Sequence, residues 1–182
     1  LIQDVLQPMR ALYLRMPAVA TLVLAVGAGY LIGGIRSALV VCALTLFIAL
    51  SPWWDRALVT LYMATFGVVI SCLIGFTVGT LCFQNKKSAA FMLGICDIFQ
   101  TFPSFVYLIP VMMLFGITDT SVLIAVVVYA TIPATRYTIE GLRSVPVGLH
   151  EAATMSGVNK FQRLTKIEFP LAFPHMMLGL NQ

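Results

Sequence analysis

Residues 57–85 read ALVTLYMATFGVVISCLIGFTVGTLCFQN, an uncharged run bounded by Arg56 and Lys86. A helix crossing the hydrocarbon core of a bilayer needs about 20 mostly apolar residues, because lipid offers no partner for a backbone N–H or C=O. The run is longer than one span requires, so part of it is expected to tilt or to lie in the interface. Further charge-free runs lie to either side. Upstream, residues 16–35 lie between Arg15 and Arg36, and residues 37–54 end at Asp55. Gly33-Gly34 before Arg36 supplies a tight turn, so these two short runs read as a hairpin. Downstream, residues 98–118 follow Asp97 and contain Pro103 and Pro110. Residues 120–135 contain Pro133 and lead to Arg136, and a last apolar run begins at 169. The expected fold class is all-α, a polytopic transmembrane helical bundle.

Composition agrees. The 182 residues are 60% hydrophobic and 10% charged, with a mean hydropathy of +0.97. Soluble domains carry about 25% charged residues, since they must present groups that water can solvate. The natural solvent of this chain is a bilayer. A net charge of +4 would suggest nucleic acid in a soluble protein, but the basic residues here sit between apolar runs and report topology. With the 144–168 loop in the cytoplasm, alternating spans put Arg36, Lys86, Lys87, Arg136, Arg143, Lys160, Arg163 and Lys166 inside. Only Arg10, Arg15 and Arg56 fall outside, and eight inside against three outside fits the positive-inside rule. Cys42, Cys72, Cys82 and Cys96 stand singly in apolar stretches without metal-ligand spacing and read as small packing residues. The sequence has no initiator Met and stops at Asn181-Gln182 inside an apolar stretch, so it is expected to be a piece of a longer chain, truncated at its C-terminus. Residues 1–54 are read as an interfacial segment plus hairpin, and 55–182 as a core membrane domain carrying a loop over 144–170.

That loop has the punctuation of a helix–turn–helix. Ser144 can cap a first helix, with Pro146 tolerated in its opening turn. Gly157 sits where a helix ends in the left-handed region. Asn159 and Gln162 have capping-box spacing for a second helix, which Pro170 is expected to close. Ala152 and Ala153 are small enough for another surface to approach, and Glu151 offers a charge beside them. The same features also describe an ordinary amphipathic loop.

The string Glu151-Ala152-Ala153, Gly157, Ile167, Pro170 resembles the EAA loop of permeases of bacterial ABC importers. Six fixed residues would coincide by chance on the order of once in ten million starts. A second stretch, Asp97-Ile-Phe-Gln100-Thr101-Phe-Pro103-Ser-Phe-Val-Tyr107-Leu-Ile-Pro110, resembles a segment of the glycine betaine/proline-type permeases in that family. Together the likeness extends over roughly residues 55–182. It implies a type I permease fold in a prokaryotic inner membrane and import of an osmoprotectant such as glycine betaine, choline or proline betaine. The implied partners are a cytoplasmic ATPase dimer, a second permease subunit (as a homodimer) and an extracytoplasmic solute-binding protein. ATP and magnesium would reside on the ATPase, since the sequence contains no G-x-x-x-x-G-K-[ST] loop and no cofactor is expected on this chain. The resemblance makes Glu151, Ala152, Ala153, Gly157, Ile167 and Pro170 the ATPase-coupling residues. An importer for an amino acid or another small organic solute, and an ion-coupled transporter without an ATPase, are the competing readings.

Gln100, Thr101 and Tyr107 stand beside Pro103 and Pro110, which free backbone groups inside a membrane helix. These five are candidate pathway residues; alternatively the polar three repair the freed hydrogen bonds or bond between helices. Asp97 is read as a helix cap or the partner of a nearby basic residue, with a proton relay as the alternative. His150 is assigned to the loop surface and His175 to a face toward a partner or the headgroups. Trp53-Trp54 at a span end reads as an interfacial anchor rather than an aromatic cage.

Overall fold

The computed structural model describes residues 2–182, without the side chains of residues 2–6 and of His150; the surface reading of His150 thus lies outside the described residues. No strand occurs among the described residues, and the all-α expectation holds. The helices are α1 (Ile2–Leu14), α2 (Ala18–Ala49), α3 (Trp54–Phe83), α4 (Lys86–Thr101), α5 (Phe105–Phe115), α6 (Asp119–Arg143), α7 (Val147–Met155), α8 (Lys160–Arg163) and α9 (Phe169–Leu178). Among the described residues α2, α3 and α6 are long and apolar enough to cross a membrane, and α4 with α5 makes a fourth if the bent pair is one span. Residues 1–65 and 66–182 pack as two units.

In the first unit α2 is interrupted at Gly33 and Gly34, where Gly34 takes φ +66. The left-handed region is cheap only for glycine. A Cβ placed on Gly29 would lie 3.1 Å from Val41 Cγ2. Twelve residues of straight helix would separate these positions by roughly 18 Å, so the chain folds back on itself here. Tyr62 and Leu58, early in α3, are buried, and Tyr62 meets Tyr13 of α1 edge to face at 5.9 Å.

The second unit is organised on α6. Along α3 the glycines 67, 75 and 79 face it. A Cβ on Gly75 would lie 2.5 Å from the Ala134 Cβ, and one on Gly79 2.6 Å from the Thr138 Cβ. Small residues four apart let membrane helices touch backbone to backbone, where dispersion and weak polar contacts replace the missing hydrophobic drive. Buried Ser71 adds a hydrogen bond from its Oγ to the Val127 carbonyl at 3.3 Å.

Two span boundaries differ from the sequence reading. The run 98–118 is not one straight helix: α4 and α5 meet at 86°. Pro103 is the cause, since its ring has no N–H and pushes the preceding residue out of the helical region; Phe102 is extended at φ −80, ψ 135. The run expected to end at Arg136 continues as helix to Arg143. Arg136 therefore lies about two turns inside α6, where its charge is neutralised by neighbours. The two halves meet α6 in reverse chain order: Arg143 reaches the Lys86 carbonyl, Arg136 reaches Asp97, and Tyr129 meets Tyr107.

Substituting Gly75 or Gly79 by Leu should destabilise the full-length protein by about 1–3 kcal/mol through overpacking, read as a lowered unfolding midpoint in detergent. Leu at Gly94, where a Cβ meets nothing within 4 Å, should leave the midpoint within experimental scatter.

Candidate functional site

At the end of α6 the chain makes the turn that the sequence announced, with altered punctuation. Ser144 does not cap α7. It closes α6, its Oγ donating to the Gly141 carbonyl at 2.7 Å. Pro146 occupies the N-cap of α7 without a side-chain bond, because the Pro-fixed turn leaves Ser144 two residues too early. The far end of α7 is as expected. Gly157 takes φ +72, Val158 N–H bonds to the Ala153 carbonyl at 3.2 Å, and Gly157 N–H bonds to the Thr154 carbonyl at 3.1 Å. This pair of bonds is the Schellman closure. Asn159 and Gln162 then form the reciprocal capping box.

Pro170 does not end the second helix. The chain runs through α8 into a π-helical turn, Leu164–Glu168, and on into α9 with Pro170 near its start. A proline ring clashes with the carbonyl four residues back and leaves it without a donor; widening the turn accommodates both. Ile167 lies in this turn, half-buried. Buried Glu168, 2% exposed, pairs with Arg163 across it, Nε to Oε1 at 2.8 Å.

Glu151 and Ala152 are exposed on α7, but Ala153 is buried. The small face expected of two alanines is therefore one alanine wide. Beside it Met155 (90% exposed) and Phe161 (73%) project outward, and neither was singled out in the sequence.

The second group of expected residues sits around the Pro103 break. The Phe99 carbonyl would bond to residue 103, which has no N–H. The Phe102 N–H at 3.4 Å and the Tyr107 hydroxyl donate to it instead, and Thr101 Oγ1 donates to the Ile98 carbonyl at 2.6 Å. Their hydroxyls thus serve the freed backbone. Tyr107 is buried, stacked on Phe99 at 6.1 Å and edge-on to Tyr129 at 5.7 Å. Pro103 lies in the break, and Pro110 inside α5 is exposed. Gln100 differs: its Oε1 accepts from Arg136 Nη1 at 2.7 Å, and it borders a cavity of about 280 Å³ together with Tyr129 and Gln182.

Arg136 is the hub of that region. Its Nη1 lies 2.6 Å from Asp97 and its Nε 3.0 Å from Glu140. Asp97 is thus the partner of a basic residue. An isolated cation within a span is costly, and flanking it with two carboxylates and an amide removes most of that cost. His175 packs on Tyr137 at 5.7 Å, its Nε2 3.9 Å from Glu140, so it faces α6 rather than outward. Sequence reasoning missed this network, although Arg136 and Glu140 stand four apart on one helix face. It also missed the Arg163–Glu168 pair, which depends on the π-turn. Trp53 is exposed, with the Arg56 guanidinium 4.6 Å above its ring. No group of three or more potential metal ligands occurs among the described residues.

Residues 67–181 match the family described as binding-protein-dependent transport system inner membrane component. The chain is 87% identical over all 182 residues to the trimethylamine N-oxide transport system permease protein TmoV of Pelagibacter ubique, 25% of that protein. It is 44% identical over 178 residues, 98% of this chain and 27% of the relative, to the protein of the same name from Ruegeria pomeroyi. With the glycine betaine/proline betaine transport system permease protein ProW of Escherichia coli it shares 31% identity over 178 residues, 98% of this chain and 50% of ProW. The chain thus spans a quarter to a half of the length of these curated relatives.

Replacing Arg136 by Met should cost about 1–3 kcal/mol of unfolding free energy, less than for a fully buried pair because the groups are partly exposed. Adding Asp97→Asn and Glu140→Gln should recover most of it, because the uncompensated carboxylates are then gone. A triple variant as unstable as Arg136→Met alone would show that the guanidinium acts by packing.

Proposed function

The chain belongs to the family of binding-protein-dependent transport system inner membrane components, and we propose that it supplies part of the membrane pathway of an ATP-driven importer for trimethylamine N-oxide. The observation that carries the solute is the 87% identity to TmoV over the whole chain. Glycine betaine is the second reading, favoured by the 31% identity to ProW. The two solutes share a trimethylammonium group. They differ in the anionic end, a single N-oxide oxygen against a carboxylate.

In this reading the ATPase, with its ATP and magnesium, docks at α7, a second permease copy completes the pathway, and a solute-binding protein delivers cargo on the other face. The exposed Glu151, Ala152 and Met155 suit docking. The Schellman closure at Gly157 and the capping box at Asn159 make α7 and α8 a stiff unit continuous with α6 and α9. A push on α7 then reaches the spans as a rigid-body movement. Ile167 and Pro170 act at the π-turn, where the loop meets α9, and Gln100, with Thr101, Pro103, Tyr107 and Pro110 shaping the break around it, borders the pathway.

The test is uptake by the full-length permease reconstituted with its ATPase and binding protein. ATP-dependent accumulation of trimethylamine N-oxide should exceed that of glycine betaine by about tenfold, or 1.4 kcal/mol in selectivity. Equal or greater uptake of glycine betaine would transfer the assignment to the second reading, and uptake without the ATPase would point to an ion-coupled carrier. Gly157→Pro, incompatible with φ +72, and Glu151→Lys should each abolish co-purification of the ATPase. Unaltered assembly in both would remove α7 from the coupling route.

A further inference from the structure

Where α3 and α6 end and α4 begins, the α7–α8 segment closes a cleft of about 820 Å³. Lys86, Arg143, Lys160 and Arg163 line it. The carboxylate on its wall is Glu168, which already holds Arg163 at 2.8 Å. Lys86, Arg143 and Lys160 have no ion pair among the described residues. Arg143 Nη2 lies 3.5 Å from the Lys86 carbonyl, which gathers two of these cations at one edge.

Lys86, Arg143 and Lys160 are exposed, so water screens their mutual repulsion, but three like charges around one cavity still carry a modest repulsive cost. An anion in the cleft would remove that cost. Apart from Gln84 the rest of the lining is apolar and includes Phe83, Leu142 and Leu164, side chains for which a small hydrated anion has no use. The cleft also lies at the helix ends where basic residues collect, the level at which anionic headgroups of the cytoplasmic leaflet reside. Cationic donors above an apolar wall match a molecule with a phosphate joined to hydrocarbon.

We propose that this cleft holds the headgroup of an anionic phospholipid, the phosphate against Lys86, Arg143 and Lys160 and the first methylenes on Phe83, Leu142 and Leu164. The lipid ties the α7–α8 unit to the membrane surface on the membrane side of the exposed α7 residues. The placement rests on the cytoplasmic orientation used above, but the readout below involves neither ATP nor solute, so it can fail while transport succeeds.

The experiment is native mass spectrometry of the full-length permease with phosphatidylglycerol or phosphatidylcholine. Wild type should retain phosphatidylglycerol selectively. Lys86→Gln/Arg143→Gln/Lys160→Gln should reduce that retention about tenfold, equivalent to 1.4 kcal/mol. Arg15→Gln/Arg36→Gln/Lys87→Gln, with the same loss of charge outside the cleft, should not. Equal retention in both triple variants would overturn the proposal as non-specific surface attraction. Displacement of the lipid by excess inorganic phosphate would reassign the site to a free anion, and expulsion by the ATPase would reassign it to an acidic protein segment; either overturns it. If the cleft variant does not purify, photoreactive phosphatidylglycerol on wild type decides. Label on peptides spanning 83–86, 142–147 or 160–164 supports the site, and label confined elsewhere rejects it.

Discussion

The close approach of α3 to α6 is the constraint on which the second unit depends. At Gly75 and Gly79 the two backbones leave no room for a methyl group. In lipid there is no hydrophobic gain from bringing two apolar helices together, so contact of this kind has to come from shape. Once α3 lies there, α6 offers its remaining sides to α4, α5 and α9. The buried residues Ala134, Thr138, Ile139, Leu142, Ala172 and Met176 record that crowding. A larger side chain in the seam would move α6, and with it the loop that α6 carries.

The prolines illustrate how a membrane helix absorbs damage. Pro103 breaks a span and removes the donor four residues on from the Phe99 carbonyl; the Phe102 N–H and the Tyr107 hydroxyl serve it instead. Pro170 is absorbed by a π-turn, and the same wide turn lets Arg163 reach Glu168. These repairs hold the break and the loop in one geometry, which the coupling role proposed for α7 would require if force there is to move spans rather than dissipate in a hinge.

Much of this was legible from residues alone. Charge-free runs located the apolar helices, because desolvated backbone permits little else. The Gly157 turn and the Asn159–Gln162 box were readable since both are local devices in which a few side chains satisfy a few backbone groups. What escaped notice depends on tertiary neighbours. The run ending at Arg136 looked like a boundary because a lone arginine in lipid is costly, and Asp97 and Gln100, which join Glu140 in offsetting that cost, are distant in sequence. Pro170 looked like a stop because the π-turn is not encoded in a pattern of residue types. The inward orientation of Ala153 depends on the angle at which α7 leaves α6, so two adjacent alanines read alike in the sequence and differ in the fold.

The central claim is that α7 is felt by the ATPase through its outward face. Single cysteines at Ala152, Ala153 and Met155 in the full-length permease, each tested for cross-linking to a cysteine-bearing ATPase, address it directly. Ala152 and Met155 are exposed and Ala153 is buried, so the account predicts strong cross-links at 152 and 155 and little at 153. Cross-linking at 153 equal to the other two, or none at any of the three, would contradict it.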